Sequence, residues 1–345
     1  MITYTRKHWS MVSVYSVTHF LVDFACAFLM FRFIAGTSEG YICVLLYNFC
    51  AFAMQMPIGI IVDKLNRNYL FAIVGCILVG AAYGFAMFPI AAVLVLGIGN
   101  AMFHIGGGID VLNISEEKLG ALGVFVSPGA FGIYFGTILG RGGGFHVMLV
   151  PLTIFIAAGL IFLMYKTQRG TYPQNAAFSL EEANSPKLLI AVGFFFLVVC
   201  IRSFVGLSLD FSWKDVGYWG AALICAVVFG KTIGGFAANW FGLKKTAFVS
   251  LGIAALLFLF PTIPIGGVTA VLLFNMTMPI TLWAAAKIMP RAKGFAFGLL
   301  TFGLFLGFLP VYLGVEVSSS MSWVFTGLTV GSFILLWLGL RRAKI

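Results

Sequence analysis

Gly59-Ile-Ile-Val-Asp63-Lys64-Leu-Asn66-Arg67-Asn68 is the stretch whose reading decides the fold. One apolar run of helix length ends in it and another begins directly after it. A looser version stands 176 residues further on: Gly235-Phe-Ala-Ala-Asn239-Trp240-Phe-Gly242-Leu-Lys244-Lys245. In each, a glycine able to seat a close helix contact is followed at i+4 by a polar residue and then by a short basic turn. A basic hairpin turn repeated at matching places in two halves marks an internally duplicated membrane protein.

Composition points the same way. The 345 residues are 61% hydrophobic and 9% charged, with 37 Phe and 41 Gly. A soluble chain of this length has no interior large enough for that much apolar surface, so a polytopic membrane protein is expected. The net charge of +10 would fit a nucleic-acid binder, but the basic residues sit in short turns between apolar runs. That is the pattern of membrane topology, and no nucleic-acid partner is expected. Arg6-Lys7 leads straight into apolar sequence with no obvious small-residue cleavage site. This reads as a first transmembrane helix, not a removed signal. Cys26, Cys43, Cys50, Cys76, Cys200 and Cys225 all fall inside apolar runs without a C-x-x-C pair, as small core residues do; no disulfide is expected.

Twelve runs can be drawn, at 10–32, 40–62, 68–87, 89–112, 118–140, 145–165, 187–209, 216–240, 245–263, 267–289, 293–315 and 321–341. Each is close to the ~20 residues that a bilayer requires. The turns are so short that neighbouring helices must be antiparallel. The one long polar interruption divides the chain into an N-terminal six-helix bundle (1–165), a cytoplasmic linker (166–186) and a C-terminal six-helix bundle (187–345). The expected fold is all-α and integral to the membrane, with twelve transmembrane helices in two pseudo-symmetric bundles. With the N-terminus inside, fifteen Lys and Arg fall on the cytoplasmic side and only Arg32, Arg141 and Lys214 outside. Both termini are therefore expected in the cytoplasm, with the protein in the cell's inner membrane.

Charged groups within the spans are expensive, so each is a functional candidate. In the first run, His19 and Asp23 are four residues apart and share a helix face. Desolvation favours a neutral carboxylic acid and a neighbouring imidazolium favours the carboxylate, so such a pair can take and release a proton near neutral pH. The plainer alternative is a polar couple that only bridges two helices. The fourth run carries Asn100, His104, a Gly106-Gly107-Gly108 stretch and Asp110. His104 is either a proton or substrate contact or a satisfied interhelical hydrogen bond. Asp110 lies near the cytoplasmic end and reads as a gate or loop anchor, with Gly59, Asp63, Lys64, Arg67, Gly235, Asn239 and Lys244 of the two turns; Asp63 is placed to pair or cap across the turn between the second and third runs. In the fifth run, Pro128 bends the helix. Gly132, Gly136 and Gly140 form a smooth ridge for a neighbour, and Tyr134 is a substrate-contact candidate. The second half carries Lys231 beside Gly230-x-x-x-Gly234, where an ammonium should meet a carboxylate or an anionic ligand. Arg202 can contact substrate, snorkel outward or pair with Asp210. Lys287 reads as an interface anchor. Asn48, Gln55, Asn275 and Trp283 are further cavity-lining candidates.

The G-x-x-x-D-K-x-N-R-N form at 59–68 resembles the loop signature of the major facilitator superfamily. Ser16-x-x-His19-Phe20-Leu21-x-Asp23, Gly97-x-Gly99-x-Ala101-x-Phe103-His104 and Ser127-Pro128-Gly129-x-x-Gly132 resemble its fosmidomycin-resistance-like branch. Ile233-Gly234-Gly235 with Phe241-Gly242-x-Lys244-Lys245 adds to the match. The resemblance covers the first half well and the second sparsely, and implies a twelve-helix proton-coupled antiporter that exports small molecules. The chain departs from the branch where Ile105-Gly106 replace Pro-Glu after the helix 4 histidine, removing a carboxylate. It departs again at Lys231, where an uncharged residue is expected.

The sequence thus reads as a secondary transporter working by alternating access. His19, Asp23 and His104 handle protons, and Lys231 stands opposite them. Efflux by proton antiport is the first reading; uptake or exchange of an organic anion, met by Lys231 and Arg202, is the alternative. An enzyme is disfavoured because no H-E-x-x-H, G-x-S-x-G or phosphate loop accompanies the mid-helix His-x-x-x-Asp. A channel is disfavoured by a proton-capable pair in a duplicated chain, and ATP drive by the lack of a Walker motif. The expected partners are a small-molecule substrate, protons and the lipid bilayer. A monomer is expected, with no cofactor and no metal.

Overall fold

The computed structural model describes residues 5–181, 185–317 and 322–345, and every regular element among them is helical. In a bilayer the backbone must satisfy its own hydrogen bonds, which a helix does within one segment. Among the described residues, eleven helices are long and apolar enough to cross: α1 Arg6–Ile34, α2 Gly40–Leu65, α3 Asn68–Phe85, α4 Pro89–Ile114, α5 Gly120–Gly142, α6 Leu149–Thr171, α7 Pro186–Ser208, α8 Trp219–Phe241, α10 Pro264–Ile288, α11 Lys293–Tyr312 and α12 Ser322–Arg342. The twelfth, α9 (Leu243–Leu257), has 15 residues and stops short of the run expected to reach 263. α1 starts earlier than its apolar stretch because Thr5 caps it, its hydroxyl accepting from the His8 amide at 3.3 Å.

Prolines set the irregularities. Pro57 lacks the amide that would bond to Ala53, and α2 widens into a π turn over Phe49–Ala53. Pro128 interrupts α5 between Phe125 and Gly129. Pro279 leaves the Asn275 carbonyl without its usual donor, and α10 breaks at Met276.

Glycines set the close approaches. Gly132, Gly136 and Gly140 of α5 lie against the carbonyls of Phe20, Phe24 and Phe28 of α1, as the expected ridge requires. A Cβ at any of them would press on backbone, the loosest contact being 2.9 Å at Gly140. Gly75 of α3 and Gly99 of α4 approach one another in the same way, and so do Gly234 and the Met276 break in α10.

The chain clusters into two compact units that do not follow a single cut. The first holds Met1–Glu117, Pro128–Phe178 and Arg291–Phe302; the second holds Lys118–Ser127, Ser179–Pro290 and Gly303–Ile345. The start of α11 therefore belongs with the first unit and the start of α5 with the second. α6 continues to Thr171, so the polar segment after it opens at Tyr172.

Candidate functional site

In the first unit, α1 and α4 bring His19, Asp23, Asn100 and His104 together. The i,i+4 spacing places His19 Nε2 3.2 Å from Asp23 Oδ2. From α4, Asn100 Nδ2 donates to Asp23 Oδ1 at 3.1 Å, and His104 Nε2 lies 3.7 Å from the same oxygen. The two imidazoles meet edge to face, with centroids 4.5 Å apart. His104 Nδ1 is 2.9 Å from the Asn100 carbonyl. A carbonyl only accepts, so Nδ1 carries a proton. Nε2 then faces the carboxylate either as a bare lone pair, which is unfavourable, or with a second proton, which is an ion pair. Donor atoms of His19, Asp23 and His104 lie within 4.8 Å of one another, a spacing at which a metal ion could be held. Gly129 closes the site from α5: a side chain there would overlap Asp23 and His19. Tyr47 and Cys26 complete the surroundings, each 3.5 Å from Asn100 Nδ2. Neither type announces such a role in sequence.

Asp110 is fully buried at the end of α4 and anchors a polar network. Asn68 Nδ2 donates to its Oδ1 at 2.8 Å, Tyr15 donates to Oδ2 at 2.7 Å, and Tyr172 donates to Oδ2 as well. Burial first, then the Asp110 carboxylate, holds the Tyr172 phenol well above its ordinary range, so it remains a donor. Asn175 continues the network, accepting from Asn68 and Asn113 at 2.8 Å each. Its amide donates to Asn66 Oδ1 at 2.8 Å, and Asn66 holds the turn in a left-handed conformation (φ 51°). The segment after α6 is therefore fastened to the turn motif. Asn68 sits within that motif and was legible there; Tyr172 and Asn175 had no sequence signal.

The two motif copies make parallel contacts. Asp63, read as pairing across the turn between α2 and α3, instead accepts from the amides of Gly294 (2.8 Å) and Phe295 (2.9 Å), capping the first turn of α11. Gly59 faces the Gly294 backbone with no room for a side chain. Lys293 donates to Glu116 at 2.8 Å and Asn113 at 3.0 Å. In the second unit Asn239 Oδ1 accepts from the Leu119 amide at 2.7 Å, capping the start of α5, and Gly235 lies against the Leu119 carbonyl. Lys64, Arg67 and Lys244 are exposed; Lys64 stacks over the Phe178 ring at 5.2 Å.

Of the remaining candidates, Asn48, Gln55 and Asn275 each donate to the carbonyl four residues back, at 2.8, 2.6 and 2.9 Å. Tyr134 and Trp283 are half-buried, and Lys287 lies 5.6 Å from the centroid of the Trp283 ring. Lys231 is half-buried in α8 of the second unit. Arg202 neither snorkels nor meets Asp210. It is buried (8% exposed), and Asp210 pairs instead with Lys214 at 2.7 Å.

No protein-family model matches the chain, and no curated protein matches it in sequence. Solved structures do match. A major facilitator superfamily transporter, FucP, in the outward conformation, superposes with a TM-score of 0.70 at 13% identity, over 97% of this chain and 99% of that one. A variant of the E. coli fucose:proton symporter FucP gives 0.66 at 12%, over 97% and 99%. The human organic anion transporter MFSD10 (TETRAN) gives 0.69 at 14%, over 95% and 99%. At such low identity the likeness speaks to architecture alone. With eleven apolar helices long enough to cross and a shorter twelfth among the described residues, this all-helical multi-pass membrane protein has the fold of the major facilitator transporters.

Proposed function

We propose that the protein is a secondary active transporter of a small organic molecule, working by alternating access, with protons bound at the His19–Asp23–His104 cluster as the driving ion. The observation that carries this reading is the buried carboxylate facing two imidazoles, one of which is fixed by the Asn100 carbonyl so that its other nitrogen points at Asp23. Protonation of that nitrogen changes the charge of the cluster by one, which is what a coupling site must do. Efflux by antiport is the direction we take, on the resemblance of the α1 and α4 motifs to fosmidomycin-resistance-like transporters. Uptake of an organic anion is the second reading, favoured by the buried Arg202. The two turn motifs act as latches in this scheme: each caps a helix start drawn from elsewhere in the chain, and releasing the cap frees that helix. We place the protein in the cytoplasmic membrane with both termini inside, on the fifteen-to-three distribution of basic residues.

The test begins with a ligand chosen by thermal stabilisation across a metabolite and drug library. In proteoliposomes containing a pH-sensitive dye, that ligand should evoke proton flux with wild-type protein. Asp23→Asn should abolish gradient-driven flux and keep ligand counterflow. Gradient dependence equal to wild type in this variant would sink the proton-coupling assignment.

A further inference from the structure

The second unit holds a charge that none of its helices neutralises. α7, α8, α9, α10, α11 and α12 contain no Asp or Glu. Side chains on a helix lean toward its N-terminus. From position 202 the guanidinium accordingly reaches back toward the middle of α7 and across to the break in α10. There Arg202 Nη2 donates to Thr277 Oγ1 at 2.8 Å and Thr281 Oγ1 at 3.2 Å. Thr277 lies midway along α10, so this contact is at the centre of the span. The two hydroxyls spend their own protons on backbone carbonyls, Thr277 on Phe274 (3.1 Å) and Thr281 on Thr277 (2.8 Å). Their lone pairs are thereby turned to the arginine. Nε is buried without a hydrogen-bond partner.

Hydroxyls orient a guanidinium but cannot cancel its charge, and arginine does not deprotonate in proteins. A buried cation without a counter-charge is unfavourable for stability, and more so at mid-membrane. A pure cross-link between α7 and α10 would be served better by a neutral side chain. We propose that Arg202, aimed by Thr277 and Thr281, binds the oxyanion of an organic anion, a carboxylate or phosphonate, that is the transported substrate. This rests on the transport reading above but not on the proton site. The planar fork of donors suits two oxygens of one anionic group.

The experiment is thermal unfolding of the purified full-length protein in detergent. The probes are acetate, benzoate, succinate, citrate and methylphosphonate, each beside its neutral methyl ester, with inorganic phosphate as a further arm. At least one organic anion should raise Tm in a concentration-dependent way while its ester does not. Arg202→Met and Arg202→Lys should weaken that anion at least tenfold. Without ligand, Arg202→Met should match or exceed the wild-type Tm, because it removes an uncompensated charge. A fall in the unliganded Tm of Arg202→Met would show the charge to be compensated within the protein and would overturn the proposal. So would wild-type anion affinity in that variant, a panel with no anion-selective shift, or a shift with inorganic phosphate only. Asp23→Asn separates the two readings. If proton coupling fails as an idea, the anion shift persists; if the Arg202 site fails, gradient-driven flux remains testable with the ligand from the library screen.

Discussion

Replacing Asp63 by alanine should release the start of α11, and the structure sets the size of the effect. The carboxylate is 4% exposed and accepts two amide hydrogen bonds, at 2.8 and 2.9 Å, from Gly294 and Phe295. Hydrogen bonds to a charged group contribute about 1.5–3 kcal/mol each, and water entering a vacated cap recovers part of that. We take ~3 kcal/mol for the pair, a rise of about 150-fold in the equilibrium for opening the first turn of α11. Amide hydrogen exchange reads this opening directly. Peptides covering 291–300 should exchange roughly two orders of magnitude faster in Asp63→Ala, and by less in Asp63→Asn, which keeps one acceptor oxygen. Asn239→Ala removes one neutral bond at 2.7 Å, so exchange around Leu119 should rise only about fivefold, for ~1 kcal/mol. The effects should not cross over: Asp63→Ala leaves 118–125 unchanged. Unaltered exchange at Gly294 and Phe295 in Asp63→Ala, or an equal rise in both segments, would refute the capping argument.

Gly132→Leu drives a side chain into the Phe20 carbonyl and should cost about 3 kcal/mol or more, lowering Tm and monodispersity on size exclusion. Gly159→Leu, where nothing lies within 4 Å, is the matched control and should behave as wild type. Tyr172→Phe removes one donor from Asp110 and leaves Tyr15 in place, so a loss of ~1 kcal/mol is expected by thermal unfolding. Asn175→Ala cuts the side-chain ties to Asn68 and Asn113, leaving its backbone amide on Asn66, and should speed limited proteolysis within 172–178; an unchanged cleavage rate would exclude the fastening role of the side chain. Glu116→Gln should cost under ~1 kcal/mol by thermal unfolding despite its 2.8 Å bond to Lys293, because the Glu116 side chain is 58% exposed.

By itself the sequence determined what depends on short range. Apolar length and short turns require membrane helices, because an unsatisfied backbone is intolerable in lipid. The 3.6-residue period puts His19 and Asp23 on one face, and i+4 glycines make a ridge, wherever the helix is packed. Tertiary structure alone decided the contacts between helices far apart in the chain, since these depend on packing register and depth that no local pattern encodes. That register brings Asn100 and His104 of α4 to Asp23 of α1, and it sends Asp63 to the amides of α11 rather than across its own turn. It also decides that Arg202 leans inward to Thr277 while Asp210 is taken by Lys214 four residues further on. A long cationic side chain can reach several partners from one position, and only the packed neighbours choose among them.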